Sequence, residues 1–353
     1  MAASIPLRPM GSQGLVTSAQ GYGCMGLTMA YGPALPEEQA FQILNTAFAN
    51  GIRHFDTAEV YAGKNAAGED KHNEVCVGAW LKTLSEADRA SVSVATKYFP
   101  MGEEKAACTD AVIRSTLDAS LDRLGVKSVD LYYLHRVPNI DAAKSFATTC
   151  KALVAESKIK YWGMSEATEA EIRAAHAIFP LTAIQQEWSL VVRNLERDLL
   201  PVCKELGIAV VAYSPLARGL TSGSVKKDED WAKIGNPGEA NRFQTICPYL
   251  TGDHLTTNVA RLSGLEAQAS KLNVSSAQLS LAWLHRTGGD FVFPIPGSTK
   301  SANVISNAHA VALSAKLSDD TVNAINATSA DLDVAGARYP AGFDPMCYEK
   351  KAA

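Results

Sequence analysis

Short apolar runs alternate with amphipathic segments along most of the chain. Apolar residues recur at helical spacing between Pro36 and Gly51, and again between a capping residue, Thr109, and a terminating glycine, Gly125. Further helices are predicted over residues 73–82, 142–157, 169–178, 195–206, 257–272, 276–286 and 301–310. The runs between the helices are rich in β-branched and other apolar residues, and they predict strands over 20–25, 52–56, 91–97, 129–135, 159–165, 181–185, 208–213 and 291–295.

This rhythm of strand, helix and strand predicts parallel pairing, with the helices covering the outer face of the sheet. Eight such strands close a TIM barrel, so we predict an α/β fold, a single (β/α)8 barrel domain over residues 1–353 with its core at about 5–330. The rival is an open doubly wound sheet, for which Gly21 to Gly26 offers the letters GxGxxG. No capped helix opens on that motif, because a loop and Pro36 intervene, so the barrel is the better prediction.

The rhythm breaks once, after the seventh predicted strand. The segment from Arg218 to Thr256 carries Gly, Pro, Asn, Asp and Ser with little periodicity, which is typical of a lid or a binding loop. The C-terminal end, from Asp331 to Ala353, is also loop-rich and is expected to pack on the outside of the barrel.

Composition narrows the class of protein. The 353 residues carry a formal net charge of −4 and are 47% hydrophobic, which excludes a disordered chain and gives no reason to expect nucleic acid or an anionic membrane as partner. Seven cysteines without a CxxC motif indicate neither a disulfide framework nor a metal site. No segment is typical of a membrane span or a signal peptide, so a cytoplasmic protein is expected.

Chemistry-bearing side chains stand at the ends of several predicted strands. Asp56, Lys97 and His135 close three successive strands, and Tyr61 lies in the loop that follows Asp56. In a TIM barrel the active site lies at these C-terminal strand ends. A tyrosine has an ordinary pKa of about 10, which a nearby lysine ammonium would lower toward that of a useful acid. Asp56 would keep Lys97 charged, and His135 would hold a carbonyl oxygen that Tyr61 protonates as hydride arrives.

Each of these residues also has an ordinary structural explanation. Asp56, which precedes a threonine, could cap a turn, and Lys97 could be solvated. His135 could be a hydrogen-bonded core histidine, and Tyr61 could belong to the core or the surface. Their shared position at the strand ends favours the catalytic interpretation, which no one of them would support alone.

Several motifs, spread in order along the chain, resemble the aldo-keto reductase superfamily. They are GYGCMGL at 21–27, HFDTAEVYAG at 54–63, ATK at 95–97, SLDRLGVKSVDLYYLHR at 120–136, KIKYWGMSEA at 158–167, VAYSPLARGL at 211–220 and PIPGSTK at 294–300. The resemblance covers about residues 5–330. It is closest to a plant and fungal subgroup with an extended loop, which includes alkaloid-aldehyde reductases and, more distantly, pyridoxal reductases.

The resemblance implies an oxidoreductase that reduces an aldehyde or ketone with NADPH bound in an extended form, without a Rossmann fold. It implies a catalytic tetrad of Asp56, Tyr61, Lys97 and His135, with Tyr61 as the proton donor. Matching positions imply that Ser165 and Gln185 hold the nicotinamide carboxamide and that Tyr213 stacks on the nicotinamide ring. Residues matching the pyrophosphate-lining stretch are Ser214, Leu216, Arg218 and Gly219, and those matching the adenosine end are Gly297, Ser298, Thr299, Lys300 and Asn307.

The expected partner is a small-molecule carbonyl compound, and the protein would be a monomer or a weak homo-oligomer. The predicted loops contain aromatic residues that indicate a bulky or aromatic substrate. These residues are Tyr31, Phe99, Trp231, Phe243 and Tyr249. Glu166 stands where the superfamily often has Asn, Trp188 where relatives often have Tyr, and Ser306 where Glu or Gln is frequent. Glu166 and Trp188 could pack behind the site or adjust the mouth where substrate enters.

Two other functions remain open from the sequence. One is a cofactor-binding regulatory or sensor protein of the same superfamily, which would keep the tetrad and turn over slowly. The other is a barrel isomerase or aldolase that uses Lys97 as a Schiff-base amine.

Overall fold

Eight parallel strands form a nearly closed barrel in the computed structural model, which describes residues 5–233, 246–328, 334–340, 342 and 347–348. The strands are β1 (Leu7–Met10), β2 (Leu15–Ser18), β3 (Tyr22–Gly23), β4 (His54–Asp56), β5 (Ala62–Lys64), β6 (Asp70–His72), β7 (Ser93–Tyr98), β8 (Val129–Leu134), β9 (Ile159–Ser165), β10 (Ala183–Glu187), β11 (Ala209–Tyr213) and β12 (Val292–Pro294). The barrel has the strand order β12-β11-β10-β9-β8-β7-β4-β3. The predicted fold class is therefore confirmed.

Helices alternate with the barrel strands and lie outside them. They are α1 (Glu37–Ala49), α2 (Asn73–Leu81), α3 (Glu86–Ala90), α4 (Glu103–Ala106), α5 (Asp110–Leu124), α6 (Ile140–Ala155), α7 (Glu169–His176), α8 (Leu195–Asp198), α9 (Leu200–Leu206), α10 (Gly252–Arg261), α11 (Ser263–Lys271), α12 (Ser276–Gly288), α13 (Ser301–Ser314) and α14 (Asp319–Thr328). Their apolar faces and the outer faces of the strands form the larger of two hydrophobic clusters.

Two glycines allow the first and last strands of the barrel to meet. The backbone N–H of Gly21 donates to the carbonyl of Pro294 at 2.9 Å. A Cβ on Gly23 would lie 2.9 Å from the carbonyl oxygen of Ile295, and a Cβ on Gly297 would lie 2.5 Å from that of Gly23. The glycine-rich letters near residue 21 therefore serve the barrel seam, which explains why they do not open a phosphate-binding helix.

An N-terminal hairpin closes the bottom of the barrel. Strands β1 and β2 pair in antiparallel fashion, and Met10 and Leu15 from this hairpin pack against the inward-facing Ala95, Leu131 and Phe293. The sequence pattern did not predict this hairpin, because a short two-stranded ribbon has little periodicity of its own.

Several predicted boundaries were wrong. The helix predicted over 195–206 is two helices, α8 and α9, because Pro201 lacks the N–H that would continue the first one. The helix predicted over 257–272 begins earlier, at Gly252, and breaks at Leu262. The first barrel strand is only two residues long, and helix α14 was not predicted.

The predicted long loop and the C-terminal end meet over the top of the barrel. Residues 234–245 of the loop lie outside the described residues, and the rest contains short 3-10 turns before α10. The expectation that the C-terminal end packs on the outside is wrong for its described part. Arg338 is only 4% exposed, because it pairs with carboxylates at the strand ends. Tyr348 is likewise only 2% exposed. Within the described residues, no helix is long and apolar enough to cross a membrane.

Candidate active site

The inward-facing positions of the strands change from apolar inside the barrel to polar at its C-terminal end. Ala95 is followed two residues later by Lys97 on β7, and Ala183 by Gln185 on β10. Because side chains alternate along a strand, each pair points to the same interior. The polar members therefore meet at one end of the barrel, where the sequence predicted an active site.

Lys97 lies at the centre of this polar cluster. Its side chain is fully buried, and its ammonium forms a salt bridge with the carboxylate of Asp56, which is 2% exposed. The same nitrogen donates to the carbonyl oxygen of Thr57 at 2.7 Å and to the hydroxyl of Tyr61 at 3.3 Å. The three protons of the ammonium thus have three acceptors, and the structure brings Asp56, Tyr61 and Lys97 together.

Burial and charge compete at this cluster. Burial lowers the pKa of Lys97, but the nearby Asp56 and Tyr61 outweigh it and leave the pKa above its ordinary value. Burial raises the pKa of Tyr61, and Lys97 only partly offsets that effect. The expected lowering by Lys97 is present, yet the net shift in the pKa of Tyr61 is upward. A lysine that stays protonated is also a poor Schiff-base amine, which weakens the isomerase or aldolase alternative.

His135 follows β8 and faces Tyr61 across the mouth of the barrel. Its ring centroid lies 5.8 Å from that of Tyr61 and 5.2 Å from that of Phe99, both at steep angles. Burial, with smaller effects from Arg136 and Lys97, lowers the pKa of His135 well below its ordinary value. The imidazole is therefore neutral at pH 7 and can donate one hydrogen bond to a neutral oxygen.

Asn73 anchors the loop that carries Tyr61. Its backbone N–H donates to the carbonyl of Tyr61 at 2.8 Å, and its side-chain amide accepts from Thr57 at 2.7 Å. The same amide donates to the carbonyl of Cys24 at 2.9 Å and to the hydroxyl of Thr28 at 2.8 Å. Sequence reasoning identified Asn73 only as a helix start, because its partners come from two separate segments, at 24–28 and 57–61.

Ser165, the last residue of β9, and Gln185, in the middle of β10, lie beside the cluster. Both are buried, and the amide of Gln185 donates to the second carboxylate oxygen of Asp56 at 2.8 Å. The hydroxyl of Ser165 accepts from the guanidinium of Arg136 at 3.4 Å. Their expected contact with a nicotinamide carboxamide stays a prediction, and Gln185 also orients Asp56.

The segment after β11 has a strained backbone and carries a buried charge. Ser214 and Arg218 both have positive φ, of 47° and 55°, which non-glycine residues adopt at some cost. Arg218 donates to Glu187 at 2.6 Å and to the hydroxyl of Tyr249 at 2.5 Å. Leu216 and Gly219 lie half-buried in the same turn. The pyrophosphate role of this segment stays a prediction, and Arg218 would have to serve it while paired with Glu187.

The other predicted cofactor residues surround the start of α13. Lys300 is exposed and precedes the first residue of the helix, and the hydroxyl of Ser298 accepts from its backbone N–H at 3.2 Å. Among the described residues, no carboxylate pairs with Lys300, and the first-turn N–H groups of Ser301 and Ala302 have no acceptor. Gly297 and Thr299 lie in the same turn, whereas Asn307 is buried within the helix.

The three residues that depart from the superfamily pattern, Glu166, Trp188 and Ser306, have different surroundings. The indole of Trp188 is buried and donates to Glu196 at 2.9 Å, so it packs behind the site. Glu166 instead accepts from Arg338 at 2.8 Å and from the hydroxyl of Tyr213 at 2.7 Å. Ser306 is half-buried on α13. Arg338 was not predicted as a site residue, because nothing near it in the sequence indicates its partners.

The aromatic residues expected to face a substrate divide into two groups. Phe99 lies half-buried against His135, and Tyr31 lies half-buried against the larger hydrophobic cluster. Trp231 and Tyr249 are buried in the loop itself, where the indole donates to the carbonyl of Leu250 at 3.2 Å. Phe243 lies outside the described residues. The indication of a bulky substrate is therefore weaker than the sequence suggested.

Comparisons with known proteins agree with this architecture. The model of the Aldo/keto reductase family matches residues 21–330. A probable aldo-keto reductase 1 of Glycine max is 39% identical over 346 residues, which cover 96% of this chain and 93% of that protein. A barrel with this cluster at its strand ends defines a class of α/β-barrel oxidoreductases, and the chain belongs to the aldo/keto reductase family.

Solved structures agree at the level of the fold. A glycerol dehydrogenase from Gluconobacter oxydans is 25% identical with a TM-score of 0.74, over 93% of this chain and 96% of that chain. An aldo-keto reductase from Klebsiella pneumoniae, solved in complex with NADPH, is 24% identical with a TM-score of 0.67, over 90% and 93% of the two chains.

Among the residues described here, no group of His, Cys, Asp and Glu could hold a metal ion.

Proposed function

We propose that this protein reduces an aldehyde or ketone to an alcohol with NADPH and that Tyr61 is the proton donor. The observation that carries the proposal is the hydrogen bond of 3.3 Å between the Lys97 ammonium and the Tyr61 hydroxyl, beside the buried carboxylate of Asp56. An ammonium at that distance favours the phenolate, which is the form that tyrosine takes after it gives up its proton.

The side chains at the barrel mouth have separate roles in the proposed carbonyl reduction. Bound NADPH supplies the hydride. Tyr61 donates its phenolic proton to the carbonyl oxygen, and Lys97 stabilises the phenolate that remains. Neutral His135 donates a hydrogen bond that orients the same oxygen, and Asp56 keeps Lys97 charged. Phe99 packs beside His135 and helps to exclude water from the reacting atoms.

The chemistry of the residues fits this cofactor at both of its ends. Tyr213 offers a half-buried ring for stacking next to the buried amide of Gln185. At the start of α13, the first-turn N–H groups, the Ser298 hydroxyl and Lys300, which has no carboxylate partner among the described residues, suit a phosphate monoester. The NADPH complex of the Klebsiella protein supports this choice of cofactor.

We also propose that the chain acts as one barrel domain, with a core over about residues 5–330, as a monomer or weak homo-oligomer. The family match over residues 21–330 supports the extent of the domain. A cytoplasmic location rests on the cysteine pattern of the sequence.

The test is an NADPH-consumption assay with aromatic and short-chain aldehydes and with pyridoxal, using Tyr61→Phe against wild type. The variant keeps the ring but loses the acidic proton, so turnover should fall at least about 10²-fold while NADPH binding is retained. Tyr161→Phe is a matched control, because Tyr161 lies toward the N-terminal hairpin, near Gly14. Near wild-type turnover of Tyr61→Phe would contradict the role of the proton donor.

The same assay separates an enzyme from a sensor. Tight NADPH binding combined with very slow turnover of the wild-type protein on the whole panel would favour the cofactor-binding sensor. Turnover at ordinary enzymatic rates on any member of the panel would favour the reductase.

A further inference from the structure

Four buried charges at the barrel mouth take no part in the proposed chemistry. Arg338 donates to Glu166 at 2.8 Å and to Glu187 at 2.9 Å, and Arg218 donates to Glu187 at 2.6 Å. The four side chains are between 0% and 3% exposed. Buried charges are costly unless they are paired, so this arrangement constrains where each partner can lie.

The network joins distant parts of the chain. Glu166 and Glu187 stand at the ends of β9 and β10, Arg218 follows β11, and Arg338 belongs to the C-terminal segment. That segment is also held by Asn258, whose amide donates to the carbonyl of Ala335 at 2.9 Å and accepts from its N–H at 3.1 Å. The C-terminal segment is therefore held at two independent places, by the strand-end carboxylates and by helix α10.

The network also holds the outer end of Tyr213. The phenol donates to Glu166 at 2.7 Å, and Arg338 donates to the phenol oxygen at 3.3 Å. The hydroxyl of Tyr339, next to Arg338 in the chain, lies 3.2 Å from the same oxygen. The hydroxyl of a tyrosine lies on the axis of the second side-chain torsion, so holding it fixes the first torsion and with it the direction in which the ring points.

We propose that Arg338 and Glu166 are positioning residues that hold the Tyr213 ring at the place where the nicotinamide stacks, so that the C-terminal segment sets the affinity for the nicotinamide half of NADPH. This inference rests on the proposed function. It explains why a carboxylate stands at position 166, since Glu166 accepts from both Tyr213 and Arg338, and a neutral amide would leave Arg338 to share Glu187 with Arg218.

The proposal predicts different effects on the binding of the two halves of the cofactor. NADPH contains the nicotinamide, whereas 2′,5′-ADP carries the same adenosine phosphate without it. If the network positions Tyr213, its loss weakens the binding of NADPH and leaves the binding of 2′,5′-ADP unchanged. A general loss of structure would weaken both.

The experiment is a titration of the full-length protein with each nucleotide, followed by tryptophan fluorescence. Tyr213→Phe keeps the stacking ring but removes the tethered hydroxyl, and Arg338→Met removes the arginine. Each should raise the Kd for NADPH about tenfold, and the double variant should be no worse than either single variant. Arg173→Met, which removes an exposed arginine paired with Glu205, is the control and should change neither Kd.

Each alternative result has a definite meaning. If Tyr213→Phe leaves the Kd for NADPH unchanged, or if Arg338→Met weakens both nucleotides equally, the positioning role is refuted. Because Tyr213→Phe removes no charge, it decides the matter even where Arg338→Met does not fold. Failure of the wild-type protein to bind either nucleotide would refute the proposed function, and the inference with it.

Discussion

Replacing Lys97 by methionine tests whether stability and catalysis depend on the same charges. The ammonium is fully buried, and its removal leaves Asp56, 2% exposed, with the amide of Gln185 as its remaining side-chain donor. Removing one partner of a buried ion pair costs about 3–5 kcal/mol, because the other charge stays buried without compensation. We expect the free energy of unfolding of Lys97→Met to fall by that amount.

The double variant, Asp56→Asn with Lys97→Met, should behave differently in the two measurements. Both charges are gone, so most of the lost stability should return. Activity should not return, because Tyr61 has lost the ammonium that stabilises its phenolate. The double variant should be no less active than Lys97→Met alone, since both substitutions interrupt one unit.

Two assays together decide the matter. Urea unfolding followed by tryptophan fluorescence gives the stability of each variant, and NADPH consumption gives its activity. A double variant as unstable as Lys97→Met would refute the reasoning about the buried pair. Recovery of activity together with stability would show that Lys97 serves folding alone.

Three further results are expected. Lys300→Met should raise the Kd for NADPH about tenfold and leave that for NADH unchanged, because only NADPH carries the 2′-phosphate; fluorescence titration measures both. Asn73→Ala should lower kcat about tenfold without changing the Kd for NADPH, since its contacts hold the Tyr61 loop. Burial lowers the pKa of His285 to about 3. The unfolded chain binds that proton below pH 6.5 while the folded chain does not, so stability falls as pH drops, by about 2 kcal/mol at pH 5. Urea unfolding at pH 8 and pH 5 measures the stability of each variant at the two pH values. His285→Gln should remove the loss of stability that His285 causes at pH 5, whereas His309→Gln, at an exposed position, should not.

Elements whose causes are local were predictable from the sequence. Helix α5 begins where the Thr109 hydroxyl accepts from the N–H of Val112 at 3.4 Å, and it ends at Gly125, whose φ is 65°. Such caps act within one helical turn, so the pattern contains them in full. The break before Pro201 is local too and was open to the same reasoning.

The meeting of Asp56, Lys97 and His135 was also within reach of the sequence. Side chains alternate along each strand, and parallel strands in a barrel bring their C-terminal ends together, so three strand-end residues must share one mouth. Their place at one end of the barrel follows once the barrel is inferred. Only the distances between their side chains require the three-dimensional structure.

The rest of the site depends on contacts between segments that are distant in the chain. Arg338 lies 172 residues from Glu166, and no local pattern relates two residues so far apart. The pKa of Tyr61 likewise depends on whether burial outweighs Lys97, which the sequence cannot weigh because burial is a property of the surfaces that enclose the ring. The physical reason is the same in both cases: pairing and desolvation arise between segments that the fold alone brings into contact.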